Sequence, residues 1–150
     1  MALADQLQSD LTAAMKARDT ASVKTLRMLL AEVRNVAVSP GHSGEVTDDE
    51  VMDVLTRQAK RRNEAAEAYR KAGRDDLADA ELAELEVIRR YLPEQLDEQA
   101  LRAIIDEAVA ATGASGPGDL GKVMGAVMPK VKGRADGKQV NALVRERLGA

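Results

Sequence analysis

The chain has 150 residues, enough to bury a sizeable core, with 22 Lys and Arg against 25 Asp and Glu and a net charge of −3. It contains no cysteine, which excludes disulfides, thiol nucleophiles and thiolate metal sites. Phe and Trp are also absent and only Tyr69 and Tyr91 are aromatic, so the core must be built from aliphatic residues, and little is left on which to stack unpaired bases.

Leu3, Leu7, Leu11 and Met15 recur every four residues and predict a first helix over about residues 2–18. Thr20 is placed to cap a second, carrying Val23, Leu26, Leu30, Val33 and Ala37 on one face. Ser39-Pro-Gly-His-Ser-Gly44 reads as a loop, and Thr47 with Glu50 as a capping box opening a third helix that runs to about Ala72, where Gly73 can turn left-handed. A fourth helix, about Asp75 to Tyr91, has acids leading and Arg89 and Arg90 trailing, as the helix dipole favours, and Pro93 stops it. Pro93-Glu-Gln-Leu96 is the candidate boundary.

Asp97 can cap a fifth helix ended by Gly113, and Asp119 a sixth, kept short because Pro129 cannot continue it and disfavours helix at Met128. Asp136 can cap a seventh, carrying Val140, Leu143, Val144 and Leu148. No β-pattern is present. The expectation is an all-α protein: an N-terminal bundle of about four helices over residues 1–92, then a small three-helix C-terminal unit over residues 97–150.

Catalytic signatures are missing from this pattern. His42 is the sole histidine and reads as a solvated loop residue, because no base–nucleophile partner accompanies it. No nucleophile elbow, Walker A loop or dinucleotide fingerprint occurs. The acidic runs at Asp48–Glu50 and Asp75–Asp79 open helices, so capping explains them better than metal binding. Neither a metal nor a cofactor is expected. Mid-helix, Lys60-Arg61-Arg62 sits among the i,i+4 pairs Lys60–Glu64 and Glu67–Lys71, the pattern of an exposed helix laced with ion pairs.

The informative segment is the last. Residues 119–148 hold seven Lys or Arg against three acids, although the chain as a whole is acidic. Lys130, Lys132, Arg134 and Lys138 surround Gly133 and the start of the seventh helix, where phosphate contact and a solvated basic loop are both open readings. Asp136 as N-cap would satisfy some amides there and repel phosphate. Gly121 and Gly125 share a helix face, for close packing of the seventh helix or close approach of a nucleic-acid backbone.

Arg62-Asn-Glu-Ala-Ala-Glu-Ala-Tyr-Arg-Lys-Ala-Gly-Arg74, Tyr91-Leu-Pro-Glu-Gln95, Gly121-Lys-Val-Met-Gly125 and Met128-Pro-Lys-Val-Lys-Gly-Arg-Ala-Asp-Gly-Lys138 with Val140-Asn141 resemble the YqeY family along essentially the whole chain. That family is similar in turn to the C-terminal helical and tail region of one component of the glutamine-dependent Asp-tRNA/Glu-tRNA amidotransferase. The resemblance implies contact with tRNA or another structured RNA, or docking to an amidotransferase or synthetase assembly. The residues that would carry RNA contact are Lys122, Lys130, Lys132, Arg134 and Lys138, with Gly121, Gly125 and Gly133 as close-approach glycines. At family level it also implies carbon–nitrogen ligase activity with glutamine as amido-N-donor. Such chemistry needs a nucleophile to release ammonia and an ATP–Mg²⁺ site, and neither is recognisable here. An accessory RNA-binding module without stand-alone catalysis is therefore expected. The alternative is a protein-interaction adaptor that docks a partner helix on the Gly121/Gly125 face.

A cytoplasmic location is expected, since nothing requires an oxidising compartment and no basic and apolar leader precedes Asp5. No stretch approaches the ~18 apolar residues of a membrane span, so no membrane partner is expected.

Overall fold

A computed structural model describes residues 2–149, and every regular element among them is helical. In chain order they are α1 (Leu3–Lys16), α2 (Thr20–Ala37), α3 (Asp48–Lys71), α4 (Asp75–Arg89), α5 (Glu98–Thr112), α6 (Leu120–Val131) and α7 (Gly137–Leu148). A single 3-10 turn, Pro117–Asp119, leads into α6. The chain divides into two compact units, Met1–Leu92 and Pro93–Ala150.

Each unit has its own aliphatic core. In the N-terminal unit Leu7, Leu26, Leu29, Val51, Val54, Leu55 and Ile88 are essentially sealed from water. In the C-terminal unit Leu101, Ile105, Val123, Val127, Val131, Val140 and Val144 are sealed in the same way. The spacing of these residues at three and four is what makes the segments helical and fixes the face each one buries.

Local chemistry sets most helix ends. Thr47 Oγ1 accepts from the Glu50 amide and the Glu50 carboxylate accepts from the Thr47 amide, both at 3.2 Å, completing the box at the start of α3. Asp97 accepts from the Ala100 amide at 2.7 Å. Gly73 and Gly113 take the left-handed conformation that ends α3 and α5.

Four expectations are corrected. Asp19, not Thr20, caps α2: its Oδ1 accepts from the Ser22 amide at 3.2 Å and its Oδ2 from the Ser22 hydroxyl at 2.6 Å. The Asp119 carboxylate makes no cap bond to α6 and accepts instead from the Ser115 amide at 2.9 Å, because the chain already enters α6 through the 3-10 turn. Pro129 does not shorten α6, which runs on to Val131. Full burial of Val131, worth about 1.5–3 kcal/mol, offsets the one helical bond that proline removes. The acceptor that loses it is the carbonyl of Gly125, an exposed residue where water can replace the donor.

The fourth correction is His42, which is not solvated. Its side chain is only 12% exposed and Nε2 lies 2.8 Å from Glu50 Oε2, pinning the loop to the first turn of α3. The Thr47 amide, aided by His42 against a desolvation penalty, holds the Glu50 carboxyl below its ordinary 4.5. Because the folded value is the lower one, this contribution is complete above pH 4.5 and fades as the pH falls through the folded value. Thr47→Ala removes the reciprocal cap and is expected to cost about 1 kcal/mol, read as a lower urea midpoint at unchanged slope.

The α1–α2 turn contains Arg18 at φ +55°, the one non-glycine residue in the left-handed region among those described. Such a conformation costs a residue with a Cβ about 1–2 kcal/mol, and glycine would adopt it freely.

Candidate nucleic-acid interface

The expected basic site lies wholly in the C-terminal unit. α6 buries Val123, Val127 and Val131 on one stripe, so helical periodicity turns Gly121, Lys122, Gly125 and Pro129 to the opposite side, where all four are exposed. A Cβ added at Gly121 or Gly125 would meet no atom within 4 Å. The packing of α7 against these glycines, one of the two readings of their spacing, does not occur. The face is bare helix backbone open to approach from outside, with Lys122 at its margin; Lys130, in the last turn of α6, lies about 140° round the helix from Gly125.

Past α6 the chain makes a type II turn. Lys132 sits at φ −54°, ψ 125°, Gly133 at φ +76°, and the Arg134 amide donates to the Val131 carbonyl at 2.8 Å. Only a residue without a Cβ takes the third position of that turn comfortably, so backbone geometry by itself accounts for Gly133. Lys132 and Lys138 are exposed on either side of it.

Arg134 stands apart from the other cations. It is half-buried, and its Nε donates to the Glu94 carbonyl at 3.3 Å. Two further bonds accompany this one: the Leu96 amide donates to the Arg134 carbonyl at 2.8 Å, and Gln95 Nε2 to the Gly133 carbonyl at 2.9 Å. The segment between the two expected domains is thereby stitched to the turn and belongs to the C-terminal unit. Arg134 is a positioning residue for that turn.

The α7 N-terminus is also occupied. Asp136 Oδ1 accepts from the Lys138 amide at 3.1 Å, so its carboxylate already serves the helix end. That carboxylate takes one amide and opposes an anion by its charge, so an anion here is held chiefly by side chains. Elsewhere in the unit cations are neutralised between α5 and α7, Arg102 with Glu98 and Glu146 and Arg147 with Asp106.

A second concave site, not legible in the sequence, lies in the N-terminal unit. It is a cleft of about 400 Å³ bounded by Asp10, Asp19, Ser22, Arg90 and Tyr91. The Tyr91 hydroxyl donates to Asp10 Oδ2 at 2.6 Å, and Arg90 donates to the Ser22 hydroxyl at 3.4 Å. Burial, then the Asp10 carboxylate, push the Tyr91 phenol well above its usual range. The Ser22 hydroxyl and amide, with Arg90 contributing, hold Asp19 below its ordinary value. These groups satisfy one another and tie the end of α4 to α1 and α2. Their sequence separations, as large as 81 residues, left no periodic signal to find them by.

Among the described residues no group of three or more His, Asp or Glu is placed to hold a metal ion, and no helix is long and apolar enough to cross a membrane.

Comparison with known proteins matches the chain to a family. The family described as "Yqey-like protein" matches residues 4–148. "Altered inheritance of mitochondria protein 41, mitochondrial" of Pyrenophora tritici-repentis is 30% identical over 148 residues, 97% of this chain and 80% of that protein. Its namesake in Clavispora lusitaniae is 34% identical over 101 residues, 65% of this chain and 58% of that protein. A component of the glutamyl-tRNA(Gln) amidotransferase of Thermococcus gammatolerans is 44% identical over 57 residues, 35% of this chain but 9% of that protein. The mitochondrial names of the relatives overturn the expectation of a cytoplasmic protein. Absence of cysteine excludes dependence on an oxidising compartment and cannot discriminate among the others.

Proposed function

Since the chain belongs to the YqeY family, we propose that its C-terminal unit is an accessory module that binds structured RNA, with tRNA as the ligand. One observation carries the reading: α6 presents an open glycine face edged by Lys122, with Lys130 in the helix's last turn and Lys132 in the turn that follows. Bare backbone lets a phosphodiester chain come closer than any side chain would allow, and the lysines supply counter-charge. The chain offers no stacking aromatic in this unit, which favours recognition of backbone and shape over base reading. The amidotransferase relative supports tRNA specifically, and such an assembly, or a synthetase, is the setting we propose.

Catalysis by the isolated chain forms no part of the proposal. Sustained ammonia release from glutamine in the presence of mischarged tRNA and ATP would overturn that view.

The direct test is binding of total tRNA across a salt series, with Lys122, Lys130, Lys132 and Lys138 replaced together by Ala. Arg134 stays, because it holds the turn. Neutralising three to four phosphates gives a log–log salt slope of roughly −2 to −4 for the wild type, and the variant flattens it. No binding at low salt, or equal binding by the variant, sinks the proposal.

A further inference from the structure

Away from the C-terminal unit, the α1–α2 hairpin carries a groove of about 650 Å³ lined by Met15, Arg18, Thr20, Val23, Lys24 and Arg27. Its floor is apolar, and every charged group on its rim is cationic. Met15 is 43% exposed, one of two large hydrophobic side chains so exposed among the described residues. Arg27 Nη2 lies 3.6 Å from the Met15 sulfur, holding the guanidinium at the edge of that floor.

The same polarity continues along α2. Thr20, Lys24, Arg27, Ala31 and Arg34 form one exposed stripe, and the single acid of the helix, Glu32, is half-buried off it. Lys24 does lie 3.6 Å from Glu84, which is 23% exposed and also takes Arg62, yet Lys24 remains 79% exposed and its outer side stays open to a partner. Arg18 adds an independent observation. It keeps a left-handed backbone that a glycine would adopt without strain. Outliers of this kind cluster at binding and switch sites, and here the Arg18 side chain stands on the groove rim.

We propose that this groove and the exposed face of α2 dock an acidic amphipathic helix of a partner protein. One apolar side chain of the partner enters over Met15 and Val23, and its Asp and Glu residues meet Arg18, Lys24, Arg27 and Arg34. A helix laid on an unpartnered helix stripe, anchored at i, i+3 and i+4, is a recurrent mode of recognition. Charge complementarity selects an acidic partner. RNA would use the cations but has no use for the thioether and valine floor. The inference is independent of RNA binding by the C-terminal unit.

The full chain, labelled at its methionine methyl groups, provides the test. The probe is a synthetic helical peptide with Leu along one face and Glu on both flanks. Two controls accompany it, one with Lys for every Glu and one with Ser for every Leu. The acidic peptide is expected to shift the Met15 methyl signal saturably, and the Lys-substituted peptide to leave it unmoved. Lys24→Glu with Arg27→Glu weakens binding about tenfold or more. Arg18→Gly raises the melting temperature and yet weakens binding, a split that a purely structural role for Arg18 would not produce.

An unmoved Met15 signal at millimolar peptide overturns the proposal, as does equal binding of the Ser-substituted peptide, which would reduce the effect to charge. So does unchanged binding by Arg18→Gly. A Met15 shift driven more strongly by tRNA, or by raising the protein concentration alone, assigns the groove to RNA or to a second copy and equally overturns it.

Discussion

Ile105→Ala lowers the stability of the C-terminal unit by about 2–5 kcal/mol, the range for emptying a sealed aliphatic site. Ile105 is 1% exposed among buried Leu, Val and Ala, with Met124 and Met128 packed against that core and no aromatic in the unit to shift into the space. The unit spans only Pro93–Ala150, and a domain of that size has a total stability on the order of 3–9 kcal/mol. One substitution therefore consumes much of the margin, and globally protected amides of α5, α6 and α7 exchange faster by a factor of about 30 to several thousand. A cost under about 0.5 kcal/mol would mean that the site collapses without a cavity and that the described core is wrong.

Gly121→Ala with Gly125→Ala is expected to move two properties in opposite directions. Each glycine sits inside a helix, faces open space and carries a conformational penalty of about 0.5–1 kcal/mol relative to alanine. The double variant is therefore more stable by about 1–2 kcal/mol in denaturant titration. Two methyl groups would also stand between α6 and an approaching ligand backbone, so affinity for tRNA falls. If stability rises while tRNA affinity is untouched, the glycine face is not the contact surface and the interface must be sought on the lysines alone. If stability falls instead, the open environment of the glycines is refuted.

The parts of the fold legible in the sequence are those decided within one or two helical turns. Thr47 and Glu50 face each other because they are three residues apart on a helix start, and Asp97 finds the Ala100 amide for the same reason. Gly73 and Gly113 turn left-handed where the periodic stripe ends. Where two adjacent residues compete, the pattern cannot choose: Asp19 and Thr20 both suit an N-cap, and Ser22, able to give Asp19 two bonds, decided between them. Pro129 deceived because the rule against proline weighs only local terms, while Val131 is buried by α5 and α7 partners in the unit's core.

The candidate site was legible as composition but not as wiring. Its lysines stand out as a basic run, and the spacing of Gly121 and Gly125 places them on one face. Whether that face is covered depends on how α7 crosses, which no local spacing encodes. Arg134 reads like its neighbours in the sequence, yet its partner carbonyl is 40 residues away. The groove at Met15 was hidden for a related reason, since its residues come from two helices and a strained turn that a four-residue period does not distinguish from core.

The stitching of Glu94, Gln95 and Leu96 to the turn at Gly133 and Arg134 also has a mechanical meaning. Tension arriving along the chain from Pro93 is borne by those three hydrogen bonds together before it reaches α5. The first part of the unit to feel a pull is the loop that presents Lys132, and the last is the sealed core behind it.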